Sequence, residues 1–350
     1  MRSVVLEKPG VLSLVESAEP SDPGPFEALV QVRRIGVCGT DYHAHGGTQN
    51  FFTYPRVLGH ELAVTVLSVG SEVDNVRPGD HCAVLPYVSC GECIACRRDR
   101  TNCCDRLEVM GVMIDGGMTD RVVVPASLLF SKAGLDLDTL AMVEPLGIGY
   151  HAVNRSQIKQ GELALVIGAG PIGLAVEQAI RARGATCVLA DTDPARLDLA
   201  RALQDSTTLD PTEPRETQLL QHGSGDLPTV VFDATGSVAS MEGAVDFVSP
   251  SGQVVFVGHT TSNLSLHNPT LHRKEVSLHT SRAATGSEWR PMLDLISSGV
   301  LSASGWIGAR CELNEVADLF PRWIEKRGTV VKAMINVASS ENTTKENNEC

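Results

Sequence analysis

The sequence predicts an α/β protein in which a doubly wound parallel sheet of the Rossmann type is joined to a second, mainly β domain. The stretches ELALVIGAG, TCVLADTD, TVVFDATG and GQVVFVGH are apolar strands that end in Gly or Asp. Helical patterns separate them, which is typical of βαβ units. Residues 1–140 instead show short β-type runs between Pro, Gly and Asp turns. The 350 residues are enough for two separate cores.

These changes of pattern predict the domain bounds. We expect the mainly β domain over residues 1–149 and the Rossmann domain over residues 150–284. Two amphipathic helices, EWRPMLDLISSGV and VADLFPRWIEKRG, and a last strand, VVKAMINV, fall in residues 285–338. The polar stretch over residues 339–350 is expected to be a disordered tail.

Composition limits the possible partners. Hydrophobic residues make up 43% of the chain and the mean hydropathy is +0.01. No apolar run approaches the roughly 20 residues that cross a bilayer. The start, MRSVVLEKPG, is typical of a strand and not of a signal peptide. A net charge of −13 argues against nucleic acid. We therefore expect a cytoplasmic protein with neither a nucleic-acid nor a membrane partner.

A cluster of cysteines stands out among the ten in the chain. Cys90, Cys93 and Cys96 are spaced by two residues, and Cys103 and Cys104 follow within the same loop. Four thiolates from one loop suit a closed, tetrahedral zinc site that stabilises the fold. Spacing alone leaves either Cys103 or Cys104 as the fourth ligand. Free thiols or a redox switch are the alternative.

A second metal site is predicted from the stretch RVLGHELAVTV, which places His60 and Glu61 inside an apolar run. Cys38 ends another predicted strand upstream, and the three residues would make an open zinc site with one free position. Adjacent side chains on a regular strand point to opposite faces, so the backbone must bend, as Gly59 permits. The alternative is a hydrogen-bonded His–Glu pair in the core.

Glu144 is a further acid in an apolar stretch, directly before Pro145. Buried acids need a partner. A nearby metal would provide one, although spacing alone does not show that Glu144 reaches it.

The segment VIGAGPIG predicts a dinucleotide site, since Gly168-x-Gly170-x-x-Gly173 follows a strand and opens a helix. Asp191 ends the next strand, where an acid hydrogen-bonds the ribose 2′-hydroxyl and favours NAD over NADP. Arg196 could accommodate a 2′-phosphate. A glycine turn that only packs a helix on a strand is the alternative. The candidate cofactor-binding residues are Gly168, Gly170, Pro171, Ile172, Gly173, Asp191, Arg196, Val257 and Gly258.

Together these motifs resemble the zinc-containing medium-chain dehydrogenases from Met1 to about Val337. CGTDYHA, GHE, the cysteine loop, EPLG and GAGPIG occur in that family's order. The resemblance implies a GroES-like catalytic domain, to which residues 285–338 return, split around an inserted Rossmann domain. It implies one catalytic and one structural zinc per chain, and oxidation of a secondary alcohol by hydride transfer to NAD.

The resemblance also assigns roles by position. Cys38, His60 and Glu61 match catalytic-zinc positions, and Glu144 matches an acid near that zinc. The structural quartet is matched by Cys90, Cys93, Cys96 and Cys104, which excludes Cys103. Thr40 and His43 match a relay that passes the alcohol proton to solvent. Arg282 matches an arginine at the substrate end, although a surface or interface salt bridge is equally compatible with it.

Within the family the chain is most similar to the polyol, threonine and sugar-acid branch. Sorbitol dehydrogenases carry tyrosines at the positions of Ala44 and Ala283, which argues against sorbitol. YPRVLGHE and KEVSLHTSRAAT are closer to hexonate (galactonate-type) enzymes. A polyol or sugar acid is thus the expected substrate, and a homodimer or homotetramer the expected assembly. The alternatives are a threonine-type dehydrogenase, a zinc-free quinone reductase, and an NAD-binding sensor or structural protein.

Overall fold

The computed structural model describes residues 1–49, 52–325 and 330–337. They form two compact units. The first comprises Met1–Glu144 and the described residues from Ile307 onward, and the second comprises Pro145–Trp306. The units therefore divide five residues before the first expected boundary, and residues 285–306 fall within the second unit. The tail expected at residues 339–350 lies outside the described residues.

Strands form both units. Among the described residues they are β1 Arg2–Lys8, β2 Val11–Glu16, β3 Glu27–Val37, β4 Arg56–Val57, β5 Glu61–Val69, β6 His81–Val84, β7 Tyr87–Val88, β8 Glu108–Val109, β9 Arg121–Pro125, β10 Leu129–Ser131, β11 Leu163–Ile167, β12 Thr186–Ala190, β13 Val230–Asp233, β14 Gln253–Phe256, β15 Ser277–Thr280, β16 Ile307–Glu312 and β17 Lys332–Asn336.

Helices are concentrated in the second unit. They are α1 Gly39–His45, α2 Ile94–Arg97, α3 Leu137–Ala141, α4 Val143–Arg155, α5 Pro171–Ala182, α6 Pro194–Gln204, α7 Arg215–His222, α8 Val238–Gly243, α9 Asn268–Lys274, α10 Gly286–Ser297 and α11 Val316–Glu325. In the described part of the chain, no helix is both long and apolar enough to span a membrane.

The first unit is mainly β. Its largest sheet has the order β10-β6-β5-β3-β17-β16, and β9 also pairs with β3. The long strand β3 pairs with β9 over residues 27–31 and with β17 over residues 34–37. The strand near the C-terminus therefore lies beside the end of β3, from which the chain continues to Cys38. A second sheet, β2-β1-β4, and the pair β7-β8 complete the unit.

The second unit contains a parallel sheet of order β12-β11-β13-β14-β15. An isolated parallel bridge between Leu189 and Thr208 places a sixth, single-residue strand position beyond β12. With that position the order is 3-2-1-4-5-6, which is the doubly wound order of dinucleotide-binding folds. The central strands are apolar because helices cover both faces of such a sheet. The predicted fold class is confirmed.

A buried hydrogen-bond network holds residues 285–306 in the second unit. The Glu288 carboxylate accepts hydrogen bonds from the Thr285 backbone N–H at 2.9 Å, from Asn154 Nδ2 at 2.8 Å and from His151 Nδ1 at 2.8 Å. Trp289 is 1% exposed. Helix α10 thus packs against α4, and the return to the first unit begins only with β16.

Candidate functional site

His60 and Glu61 both turn into the interior of the first unit. Gly59 has a φ of +94°, which a residue with a side chain rarely adopts, and regular strand β5 begins only at Glu61. Both side chains are buried, at 5% and 1% exposure. Their ligand atoms and the Cys38 thiol lie within 4.8 Å of one another. The bend at Gly59 therefore lets two neighbouring residues face one point.

Asp41, in the first turn of α1, supports this cluster, although the sequence did not single it out. Its Oδ2 accepts a hydrogen bond from the Cys38 backbone N–H at 2.8 Å. Its Oδ1 lies 3.8 Å from His60 Nδ1, and both atoms are buried without a hydrogen-bond partner among the described atoms. Burial alone would lower the pKa of His60, but the charges of Cys38 and Asp41 raise it well above its ordinary value. A cation bound to the imidazole suits this arrangement, in which the Asp41 carboxylate faces the ring.

Lys332 is a second residue of the site that sequence reasoning missed. Its Nζ donates to Glu61 Oε1 at 2.6 Å and Oε2 at 2.8 Å, and to the Val37 carbonyl at 3.3 Å. Burial alone would lower the pKa of Lys332, but Glu61 and Cys38 raise it above its ordinary value, so the ammonium stays charged. The signal in the sequence was a lysine inside the apolar strand VVKAMINV.

Gly36 makes room for the Glu61 carboxylate. The two residues are partners in the β3–β5 register. A Cβ at Gly36 would lie 2.1 Å from Glu61 Oε2 and 2.8 Å from Met142 Cε. No side chain fits there without displacing the carboxylate.

Glu144 is buried at the start of α4, in the first unit. The hydroxyl of Tyr87, on β7, donates a hydrogen bond to Glu144 Oε1. Burial raises the pKa of Glu144, and the positive charge of His60 opposes that shift. Burial also raises the pKa of Tyr87 well above its ordinary value, so its hydroxyl stays protonated as a donor. Tyr87 was not anticipated from the sequence.

Four cysteines of the predicted loop come together. The ligand atoms of Cys90, Cys93, Cys96 and Cys104 lie within 4.8 Å of one another, and Cys104 is buried. Cys103 is exposed and is not one of the four. Geometry therefore selects the same quartet as the family resemblance.

The thiols of this loop lie close together and differ in how readily they ionise. Cys93 Sγ and Cys96 Sγ are 3.5 Å apart. Hydrogen bonds from the backbone N–H groups of Glu92 and Cys93 lower the pKa of Cys90 to about 6, whereas burial raises the pKa of Cys96 to about 11. Four thiolates this close repel one another unless a cation lies between them, so the donor set fits zinc.

The proposed relay residues lie on one helix. Thr40 and His43 are three positions apart on α1, a spacing that places them on one face. His43 is exposed, and its Nδ1 lies 3.1 Å from Thr48 Oγ1. Arg282 is exposed just after β15 and belongs to the second unit.

The glycine-rich turn of the second unit fits a dinucleotide. Gly168 has a φ of +102°, and a Cβ at Gly173 would lie 1.7 Å from the Gly168 carbonyl oxygen. A Cβ at Gly170 would meet nothing within 4 Å. The first and third glycines thus close the turn onto α5, whereas the space beside the second is free for a ligand. Pro171 and Ile172 open α5 and are half-buried.

A cavity of about 460 Å³ lies beside this turn. Gly168, Gly170, Asp191 and Arg196 line it, as the sequence predicts for a cofactor site. Asp191 Oδ2 accepts from the Ala169 N–H at 2.7 Å and lies 3.8 Å from Arg196 Nη1. The carboxylate therefore fixes the turn as well as facing the cavity.

Two further residues that line this cavity were not predicted from the sequence. The Arg215 guanidinium lies 4.8 Å from the centre of the Phe247 ring, and both residues line the cavity. Nothing in the sequence links them, because α7 and the segment after α8 meet only in the fold. Val257 and Gly258 follow β14 and donate to the Asp233 carbonyl; they are not among the cavity-lining residues.

Known families match most of the chain. Residues 24–134 match the alcohol dehydrogenase GroES-like domain, and residues 171–298 match the zinc-binding dehydrogenase family. L-galactonate-5-dehydrogenase from Escherichia coli K12 is 38% identical over 314 residues, which are 89% of this chain and 92% of that protein.

Two solved structures are also similar over almost their whole length. The NADH complex of the alcohol dehydrogenase RspB from Escherichia coli CFT073 has a TM-score of 0.89 and 29% identity, covering 96% of this chain and 99% of that one. The NADP complex of a zinc-binding dehydrogenase from Sinorhizobium meliloti 1021 has a TM-score of 0.85 and 28% identity, covering 96% and 98%.

Proposed function

The chain belongs to the zinc-binding alcohol dehydrogenases and is itself a dehydrogenase, and from that premise we propose that it oxidises a secondary alcohol of a polyol or sugar acid with NAD as the hydride acceptor. The observation that supports this most directly is the cluster of half-buried Cys38 with buried His60 and Glu61, whose ligand atoms lie within 4.8 Å of one another. The alternative of a zinc-free quinone reductase would need no such cluster.

We propose that zinc is held by Cys38, His60 and Glu61, with Asp41 and Lys332 as supporting residues. When bound there, zinc would supply Lewis acidity that lowers the pKa of an alcohol. Asp41 places its carboxylate 3.8 Å from His60 Nδ1, and Lys332 balances the charge of Glu61. A second zinc bound by the cysteine quartet would only stabilise the fold.

Proton release is assigned to α1. Thr40 would accept the hydroxyl proton of the alcohol while giving up its own proton, and His43, exposed on the same face, would pass a proton to solvent. Imidazole is the side chain that most often passes protons in enzymes. Thr48 contacts His43 Nδ1 and so limits rotation of the ring.

NAD is the proposed cofactor because Asp191 faces the cavity at the end of β12. Its carboxylate would bind the ribose hydroxyls and repel a 2′-phosphate. NAD would accept the hydride of the oxidised carbon. One relative of known structure binds NADH and another binds NADP. The choice of NAD for this chain is therefore supported by Asp191 and not by the relatives.

The substrate class is proposed from Arg282 and from the relatives. A guanidinium can bind a carboxylate through two hydrogen bonds, which favours a sugar acid over a simple polyol. L-galactonate-5-dehydrogenase is named for such a substrate. Ala44 and Ala283 leave no phenol at the positions where sorbitol dehydrogenases carry tyrosine.

A cytoplasmic homodimer or homotetramer completes the proposal. Strand β15 is at the edge of the parallel sheet, and its Leu278 is 40% exposed. An edge strand with an exposed apolar side chain favours pairing with a second copy. Light scattering during gel filtration would test it; a monomer at micromolar concentration would contradict it.

NADH formation tests the activity. Purified protein would be offered polyols, L-threonine and hexonates, with matched samples treated with a chelator. We expect chelator-sensitive turnover of a hexonate or polyol. Turnover of L-threonine alone would replace the substrate class, and binding of NADH without any turnover would favour the sensor.

The matched variant for this experiment is Cys38→Ser. We expect it to lose turnover while NADH binding, measured by fluorescence, is unchanged, because Cys38 and the cofactor cavity belong to different units. Full activity in this variant would contradict the assignment of Cys38 to the catalytic metal.

A further inference from the structure

Tyr87 reaches the catalytic cluster from the strand that leads into the cysteine loop. It lies three residues before Cys90 and is 9% exposed. Its hydroxyl donates to Glu144 Oε1. Among the described residues this is the hydrogen bond that the Glu144 side chain accepts, so the position of that carboxylate depends on Tyr87.

Glu144 interacts electrostatically with the proposed metal ligands but is not grouped with them by distance. Its carboxyl group is attracted by His60 and Lys332 and repelled by Glu61, so it shares their electrostatic environment. It is absent from the group of three residues whose ligand atoms lie within 4.8 Å of one another. Glu61 is held differently, since both its oxygens accept from Lys332. One carboxylate is thus fixed by an ammonium group and the other by a phenol.

We propose that Tyr87 is a positioning residue that holds Glu144 beside the catalytic metal but outside its ligand set. The inference rests on the proposed function, because it concerns the same metal position. The hydrogen bond occupies Oε1 and leaves Oε2 for a substrate hydroxyl or a water. Without the phenol, the Glu144 carboxylate would be free to turn and would compete with substrate for a metal held by Cys38, His60 and Glu61.

The test is a double-mutant cycle of Tyr87→Phe and Glu144→Ala, with Tyr54→Phe as the matched control. Tyr54 also donates one hydrogen bond, at 2.5 Å, but to the Ala44 carbonyl. With Co²⁺ in place of zinc, the visible bands report the ligand geometry, and the contribution of the cysteine quartet is common to all variants. We expect Tyr87→Phe to change the spectrum, Tyr54→Phe to leave it unchanged, and Tyr87→Phe to have no further effect in the Glu144→Ala background.

Kinetics give a second measurement. We expect kcat for Tyr87→Phe to fall about tenfold, as loss of a hydrogen bond to a charged group predicts. Metal analysis should still find the wild-type zinc content. An unchanged cobalt spectrum, an equal spectral change in both backgrounds, or loss of zinc from Tyr87→Phe would each overturn the positioning role. Absence of turnover in the wild type would instead contradict the proposed function, and the spectra would still decide the role of Tyr87.

Discussion

Lys332 Nζ lies 2.6 Å from one carboxylate oxygen of Glu61 and 2.8 Å from the other, although the two residues are 271 positions apart. Both side chains are almost fully buried, at 2% and 1% exposure. Strand β17 carries Lys332 to the end of β3, and β5 carries Glu61 to the same place. Lys332 thus brings a positive charge to a cluster whose other members include acidic side chains and a thiol.

Replacing Lys332 by methionine tests this compensation. The variant leaves Glu61 buried without its cation, which costs about 3–5 kcal/mol of unfolding free energy. We expect a smaller loss in zinc-loaded protein, because a metal cation takes over part of the neutralisation. Thermal and urea unfolding with and without added zinc would measure the difference.

Lys274→Met is the control for that variant. Lys274 is also buried, but its Nζ donates to the backbone carbonyls of Val245, Asp246 and Val248. The Lys274→Met variant should lower the unfolding free energy of the second unit equally in the presence and in the absence of zinc. Equal zinc dependence in both variants would contradict the role assigned to Lys332.

The cysteine quartet predicts a structural metal. Cys104→Ser should lower the zinc content by one per chain and lower the melting temperature, because binding free energy of a structural zinc is folding free energy. Cys103→Ser should leave both unchanged, since Cys103 is exposed and outside the quartet. Metal analysis and calorimetry distinguish the two. A metal loss in Cys103→Ser would show that the fourth ligand is misassigned.

Asp191 predicts the cofactor preference. Asp191→Ser removes the carboxylate and leaves Arg196 facing the cavity, so the ratio of NADPH to NADH affinity should rise about tenfold or more. Fluorescence titration with each reduced cofactor measures it. Adding Arg196→Ala should reverse most of the gain, and an unchanged ratio in Asp191→Ser would mean that another residue selects the cofactor.

From the lowered pKa of Glu288 we expect the second unit to lose stability at low pH. Burial opposes ionisation, but hydrogen bonds and the charge of His151 lower the pKa of Glu288 from 4.5 to about 2. Because the folded pKa is the lower one, its stabilisation is complete above pH 4.5 and is lost as the pH falls toward 2. The contribution at neutral pH is at most about 3 kcal/mol.

The measurement compares wild type with Glu288→Gln. The difference in unfolding free energy should be largest at pH 7 and should shrink steadily below pH 4.5. Asp294→Asn, on the same helix, is the control for loss of one negative charge. A difference that stays constant from pH 7 to pH 3 would show that Glu288 contributes only through packing.

The resemblance to the medium-chain dehydrogenases, expected from five short motifs, is confirmed by the family matches. The motifs were informative because each is local. A glycine turn, a cysteine loop and a GHE triplet each keep most of their chemistry within a few neighbouring residues, so spacing predicts the kind of site. The bend at Gly59 is such a case, since only the backbone freedom of one glycine was needed.

The remaining residues of the site could not be predicted because their partners are far apart in the chain. Tyr87 meets Glu144 and Lys332 meets Glu61 only in the tertiary structure of the first unit. The same holds for residues 285–306, whose helical pattern was evident but whose place was decided by the buried Glu288 network. Local sequence and the family resemblance thus predicted the candidate ligands and the glycine turn. The tertiary structure alone decided the buried charge partners, because pairing of buried groups depends on which strands and helices become neighbours.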